Sequence, residues 1–162
     1  MKKEELPKII PVFPLTNFIM FPKSTVPLNI FEPRYIQMIN ESMQGKRLVG
    51  MIQPKKTGKL KEPDLYNIGC MGKITSFNET EDGRYLIILN GICRFKIVDE
   101  IKNKKLFREC SINFNDYVDD LTSPTKDINF SDLNLIFNQM KDLFKKQGYI
   151  INWKDMKKQN LD

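Results

Sequence analysis

The stretch PVFPLTNFIMFPKSTVPLNIFEPRY, Pro11 to Tyr35, decides how the rest of the chain can fold. Pro14, Pro22, Pro27 and Pro33 cut an otherwise apolar segment into pieces of four to seven residues. Each proline fixes its own φ, removes an amide donor and pushes the residue before it towards an extended conformation. No piece is long enough for a stable helix, so Ile9–Phe13 and Val26–Ile30 are predicted as short buried strands. Phe13, Leu15, Phe18, Ile19, Met20, Phe21, Val26, Leu28, Ile30 and Phe31 together offer the apolar surface of a core anchor. Proline is tolerated in a helix's first turn, so the chain can begin to coil only at Pro33.

Beyond that point Tyr35, Ile36, Ile39 and Met43 share one face of a helix over Arg34–Gln44, with Gly45 to end it. Leu48–Ile52 is a short apolar run expected to be a buried strand, and Lys55–Asp64, with Gly58 and Pro63, an exposed loop. From Leu65 to Ile112 the pattern is β. Gly69 and Gly72 predict a bulge or bend within Tyr66–Phe77, and Asp82-Gly83 predicts a hairpin turn. Arg84–Asn90 then returns through the middle of the sheet, and Gly91 allows a sharp turn. Cys93–Val98 alternates apolar and basic, predicting one face in the core and one in water. Lys102–Lys105 is a further turn and Leu106–Phe114 a further strand.

Four aspartates and Pro124 within Asp116–Asn129 mark a boundary. Ser131 then suits the N-cap of a helix whose stripe is Leu133, Ile136, Phe137, Met140 and Phe144. The last segment, Tyr149–Asp162, holds Ile150, Ile151 and Trp153. The expected organisation is a β domain over residues 1–117, a linker over 118–130 and a helical appendage over 131–162. Its class is mainly β with an α appendage, a small and strongly bent barrel or paired sheet.

Composition excludes much chemistry. There is no histidine, which removes Ser-His-Asp and Cys-His catalysis and histidine-ligated zinc. Gly58-Lys59 lacks the rest of a phosphate-binding loop, and Gly69-Cys-Met-Gly72 has no helix behind it to make a dinucleotide fingerprint. Adjacent residues of an extended chain face opposite ways, so Lys23 and Ser24 do not form a catalytic pair. Three scattered cysteines, Cys70, Cys93 and Cys110, read as buried apolar residues rather than ligands. Neither a membrane span nor a signal peptide is evident, so a cytoplasmic location is expected. The net charge of +6 permits contact with acidic partners, nucleic acid included, but does not demand it.

Six blocks in order carry a family resemblance: Phe13-Pro-Leu15, Phe21-Pro22, Pro27-Leu-Asn-Ile-Phe-Glu-Pro-Arg-Tyr35, Gly69-Cys70, Asp82-Gly-Arg-Tyr85 and Gly91-Ile-Cys-Arg-Phe95. Together, over about Ile9 to Tyr117, they resemble the Lon N-terminal domain, the substrate-binding domain of Lon proteases, and its stand-alone members above all. The resemblance implies a PUA-like bent pseudo-barrel of about six short strands, one inserted helix and a C-terminal helix or helices. It implies a structural role for Pro14, Pro22, Pro27, Phe31, Glu32, Pro33, Arg34, Tyr35, Gly69, Cys70, Asp82, Gly83, Arg84, Gly91, Arg94 and Phe95. It also implies a non-catalytic protein without cofactor or metal, which binds polypeptide clients or works beside a protease or chaperone.

The residues themselves leave one apolar candidate. Phe18, Ile19, Met20 and Phe21 lie in a proline-bounded connection and are either core or an exposed recognition patch. Glu32 and Arg34 are expected to cap the helix and pair with a neighbouring strand, and Arg84 and Arg94 to be structural ion partners. An RNA-binding module is the alternative function, since PUA-like barrels also serve RNA-modifying proteins. Against it, no aromatic residue is interleaved with Arg94 and Lys96 on the polar face of Cys93–Val98.

Overall fold

A computed structural model describes residues 6–59, 62–122 and 130–146. Two compact units divide the chain, one to Ser123 and one from Pro124. In the first unit the elements run β1 (Ile9–Pro14), β2 (Thr25–Ile30), α1 (Pro33–Gln44), β3 (Leu48–Ile52), β4 (Pro54–Lys59), β5 (Glu62–Leu65), β6 (Ile68–Glu79), β7 (Tyr85–Ile101) and β8 (Arg108–Asn113). A 3-10 helix, Asn115–Leu121, closes it, so the unit continues past residue 117, where the sequence placed the end of the β domain. The second unit holds α2, Phe130–Lys146. No helix among the described residues is long and apolar enough to cross a membrane.

Six strands form one sheet in the order β2-β7-β6-β3-β1-β8, and β8 pairs back onto β7. Five strands therefore close a ring, with β2 added along the outside of the first half of β7. The pair β1–β3 is parallel and every other pairing is antiparallel. A parallel pair needs a long crossover. Here the crossover is the rest of the proline-punctuated leader, β2 and α1.

Side chains alternate across a strand, and in this ring both faces of several strands are covered. All five residues of β3 are buried. Val49 and Met51 join one apolar cluster, with Phe13, Tyr35, Met38, Ile39 and Leu89. Leu48 and Ile52 join the other, around Phe95 with Val12, Met71, Cys93 and Ile112. Such double burial is why β3 reads as a continuous apolar run rather than as an alternation.

Several expectations need correction. Residues 55–59 and 62–64 of the expected loop are strand: β4 and β5 pair as a small separate sheet, joined at its base by the Tyr66 amide donating to the Gln53 carbonyl at 3.0 Å. Gly91 makes no sharp turn. One strand of 17 residues runs from Tyr85 to Ile101, and the register shift between Met71 and Gly72 leaves Ile92 as an extra residue, a bulge. Arg84–Asn90 does lie centrally between β2 and β6, but Leu86 and Ile88 face outwards and stay 43% and 38% exposed. Phe31 anchors no core, at 66% exposed, whereas Met38, which the periodicity passed over, is fully buried. Ser131 lies inside α2, which already begins at Phe130, and is not its N-cap. The Tyr149–Asp162 expectation lies outside the described residues.

Phe95 shows how tightly the ring closes. Its side chain fills the space left by two absent ones, for a Cβ on Gly69 would lie 2.6 Å from the Phe95 ring and 2.6 Å from the Met51 carbonyl oxygen. Gly69→Ala should lower stability by about 1–3 kcal/mol, because backbone on β3 cannot yield to the added methyl. A urea midpoint that falls with unchanged slope would record this, and an unchanged midpoint would refute it.

Candidate functional site

The connection between β1 and β2 leaves the sheet and returns to it under local constraint. Asn17 and Lys23 bracket the segment in the left-handed region, with φ of 59° and 65°. Asparagine enters that region readily, but lysine pays steric strain of about 1 kcal/mol or more. What holds the return is Gly91. Its carbonyl accepts the Lys23 amide at 2.8 Å, and its amide donates to the Ser24 carbonyl at 2.8 Å. These bonds continue the β2–β7 ladder beyond Thr25 and Asn90. A Cβ on Gly91 would lie 2.1 Å from the Phe21 carbonyl oxygen, so only glycine lets the two backbones touch. Ser24 Oγ also donates to that oxygen, at 2.7 Å.

The docked segment splits its own apolar residues. Met20 is 5% exposed and enters the core cluster, while Ile19 and Phe21 on either side are 61% and 63% exposed. Phe18 is partly buried against the core. Of the two sequence readings, burial in the core holds for Met20, and Ile19 and Phe21 are exposed. Across one groove from them stand Tyr66, just before β6, and Ile68, its first residue, 52% and 53% exposed. Between the two rims this groove measures about 460 Å³, and its floor includes the buried Met51, Ile52 and Cys70. That volume is within the usual range of binding clefts, ~300–1,000 Å³.

Among the described residues Arg94 is the one charged residue lining the groove, and it is already engaged. Its Nε and Nη2 donate to Asp120 Oδ2 and Oδ1 at 2.9 and 2.8 Å, and its backbone amide donates to Oδ2 at 3.0 Å. The guanidinium also lies 4.7 Å from the Tyr117 ring centre. Cys93 Sγ donates to the Tyr117 carbonyl at 3.2 Å, and Lys23 Nζ donates to the Thr122 carbonyl at 2.7 Å. The 3-10 helix is thus fastened both to β7 and to the leader. The hydrogen bonds from Arg94 hold the Asp120 carboxyl below the ordinary value of 3.8.

The other singled-out residues do not converge on this groove. Glu32 and Arg34 pair with each other at 2.7 Å rather than with a strand, and the Glu32 side chain makes no cap bond to α1. Pro33 occupies the first turn of α1, and Tyr35 packs on Phe13 with ring centres 4.1 Å apart. Pro14 ends β1, Pro27 lies in the outer strand β2, and Pro22 abuts Gly91. Asp82 and Arg84 pair at 2.7 Å across the turn at Gly83, whose φ is 79°. A second cleft, about 510 Å³, touches Arg34 and Arg108, but both arginines are spoken for, Arg108 by Glu100. Burial pushes the Cys70 thiol up to about 12 and those of Cys93 and Cys110 up to about 11, so all three are held protonated near neutral pH. Among the described residues no cluster of potential ligands could hold a metal ion.

Sequence reasoning missed Gln53, Tyr66, Ile68 and Asp120. Gln53 stood between an expected strand and an expected loop, Tyr66 and Ile68 opened an expected strand without marking a site, and the contact of Asp120 with Arg94 spans 26 residues. Only the exposed side of the alternation at Ile68 could have announced the rim.

Gly91→Ala should release the leader: protection of the Lys23 amide from exchange would fall, with about 1–3 kcal/mol of stability. Retained protection would count against the docking account. For Asp120→Asn the sign follows from a depressed folded value. The contribution of the carboxylate is complete above the ordinary value of 3.8 and is lost as pH falls through the lowered one. The stability gap between wild type and variant should be about 1.5–3 kcal/mol near neutral pH and should close as acid denaturation is followed below about pH 4. A gap independent of pH would contradict this.

The description ATP-dependent protease La (LON) substrate-binding domain matches residues 9–161 of the chain. Similar curated proteins include the Lon protease of Flavobacterium johnsoniae, 27% identical over 145 residues, covering 88% of this chain and 17% of that one. The Lon protease of Desulfosudis oleivorans is 34% identical over 103 residues, 61% of this chain and 12% of that one. The chain therefore spans less than a fifth of the length of these relatives. Among solved structures, the N-terminal domain of the Mycobacterium avium complex Lon protease superposes with a TM-score of 0.55 at 14% identity, covering 85% of this chain and 72% of that one. A Lon N-terminal domain protein from Xanthomonas campestris gives 0.54 at 21% identity, covering 65% and 59%. The likeness of fold agrees with the pseudo-barrel expected from the six sequence blocks, and with a model match over nearly its whole length the chain belongs to the Lon substrate-binding domain family.

Proposed function

We propose that this protein binds exposed apolar segments of other polypeptides in the groove between Ile19–Phe21 and Tyr66–Ile68, as a non-catalytic adaptor or holdase. The observation that carries the reading is the exposure of Ile19 and Phe21 on a segment hydrogen-bonded to the sheet on either side of them, at Leu15 and at Lys23. Large apolar side chains kept in water on a fixed backbone cost little further ordering when a client covers them. Membership of a substrate-binding family supports the same reading. A protease or chaperone partner would receive what the groove holds. The three buried free thiols fit a reducing compartment, which favours the cytoplasm.

The combined variant Ile19→Asp, Phe21→Asp tests it. Both sites are solvent-exposed, so folding stability should change by no more than about 0.5 kcal/mol. Affinity for a reduced, carboxymethylated unfolded protein should drop at least about tenfold, since each lost apolar contact removes about 1.5–3 kcal/mol of burial. Undiminished capture, or binding of RNA homopolymer in place of the unfolded protein, would sink the proposal.

A further inference from the structure

We propose that the segments taken by this groove are apolar stretches flanked by acidic side chains: an aliphatic or aromatic core with Asp or Glu on either side, in an unfolded chain. The inference rests on the polypeptide-binding reading and adds the charge of the client to it.

The lining and the rim differ in electrostatic character. Among the described residues no carboxylate lines the groove, and the Arg94 guanidinium there is neutralised by Asp120. A client charge pressed onto the floor of Met51, Ile52 and Cys70 would lose its water and gain no partner, so the floor selects uncharged side chains. The rim is basic. On β7, Lys96 lies directly across the strand pair from the exposed Ile68. On the other side β4 leaves the groove at Gln53, and Lys55 and Lys56 are its second and third residues, their side chains on opposite faces of the strand. The fastening of Tyr66 to Gln53 at 3.0 Å keeps that small sheet rooted in the groove's edge. Against these three lysines stand Glu62 and Asp64, in the facing strand β5, which leaves an excess of one positive charge.

A neutral floor inside a cationic rim sorts clients in two ways. Rim charges act through solvent, attracting acidic flanks and repelling basic ones, and change the association rate more than the dissociation rate. Salt screens them over ~8 Å at physiological ionic strength, whereas contact with the floor is indifferent to salt. Clients with equal apolar cores should therefore separate by the sign of their flanks.

The test uses the full chain and three fluorescein-labelled peptides with one apolar core, Leu-Phe-Ile-Leu, flanked by Asp and Glu, by Ser and Asn, or by Lys and Arg. Fluorescence anisotropy at low salt should give the acidic peptide the tightest binding, about tenfold over the neutral one, mostly through faster association. The basic peptide should bind weakest, and high salt should bring the three together. The combined variant Lys55→Glu, Lys56→Glu, Lys96→Glu should reverse the order, and the salt series on wild type gives the same information should that variant fold poorly. Equal affinities at low salt, with binding still lost in the Ile19→Asp, Phe21→Asp variant, would overturn the acidic-flank inference and leave the groove standing. Failure of all three peptides to bind would overturn both.

Discussion

The carbonyl oxygen of Phe21 rests against the bare Cα of Gly91, and much of the first unit depends on that contact. Gly91 stands at the bulge of β7, where Ile92 has no partner on β6. The first half of β7 carries β2 on its free side, and the second half carries β8. A regular strand could not serve both neighbours, because added twist and bend are what a bulge supplies. The same residue that permits the bend also admits the leader's backbone, so ring closure and placement of the Phe18–Phe21 segment share one cause.

Around this junction the apolar residues divide into two clusters, separated by strands buried on both faces. Val12 belongs to one cluster and Phe13 to the other, and Cys70 and Met71 divide likewise. Helix α1 covers one cluster with Tyr35, Met38 and Ile39. Phe95 fills the other, where Gly50 and Gly69 leave room for its ring. Close packing of this kind resists displacement in either direction, so the floor of the groove is preformed.

Several polar groups near the groove hold elements together. Arg94 and Asp120 satisfy each other, Cys93 reaches Tyr117, and Lys23 reaches Thr122. All of them fasten the 3-10 helix to the ring or the leader. Burial keeps the thiols protonated. What the groove exposes is therefore mainly apolar surface, with Arg94 already paired to Asp120.

Read as a sequence, the chain already declared its prolines, its β-rich middle, its first helix and the burial of its cysteines. Those features are local: a proline fixes φ wherever it stands, and alternation or a 3.6 period marks a face without reference to partners. The pairing of Arg94 with Asp120 was not legible, since nothing local joins residues 26 apart. Nor was the division of Phe18–Phe21 into an inserted Met20 and an exposed Ile19 and Phe21, because identical apolar chemistry serves core and rim alike. Gly91 looked like a turn because a glycine shows only that space is needed. Whether the space admits a reversal of the chain or a second backbone is settled by which strand lies beside it, and that is a property of the closed ring.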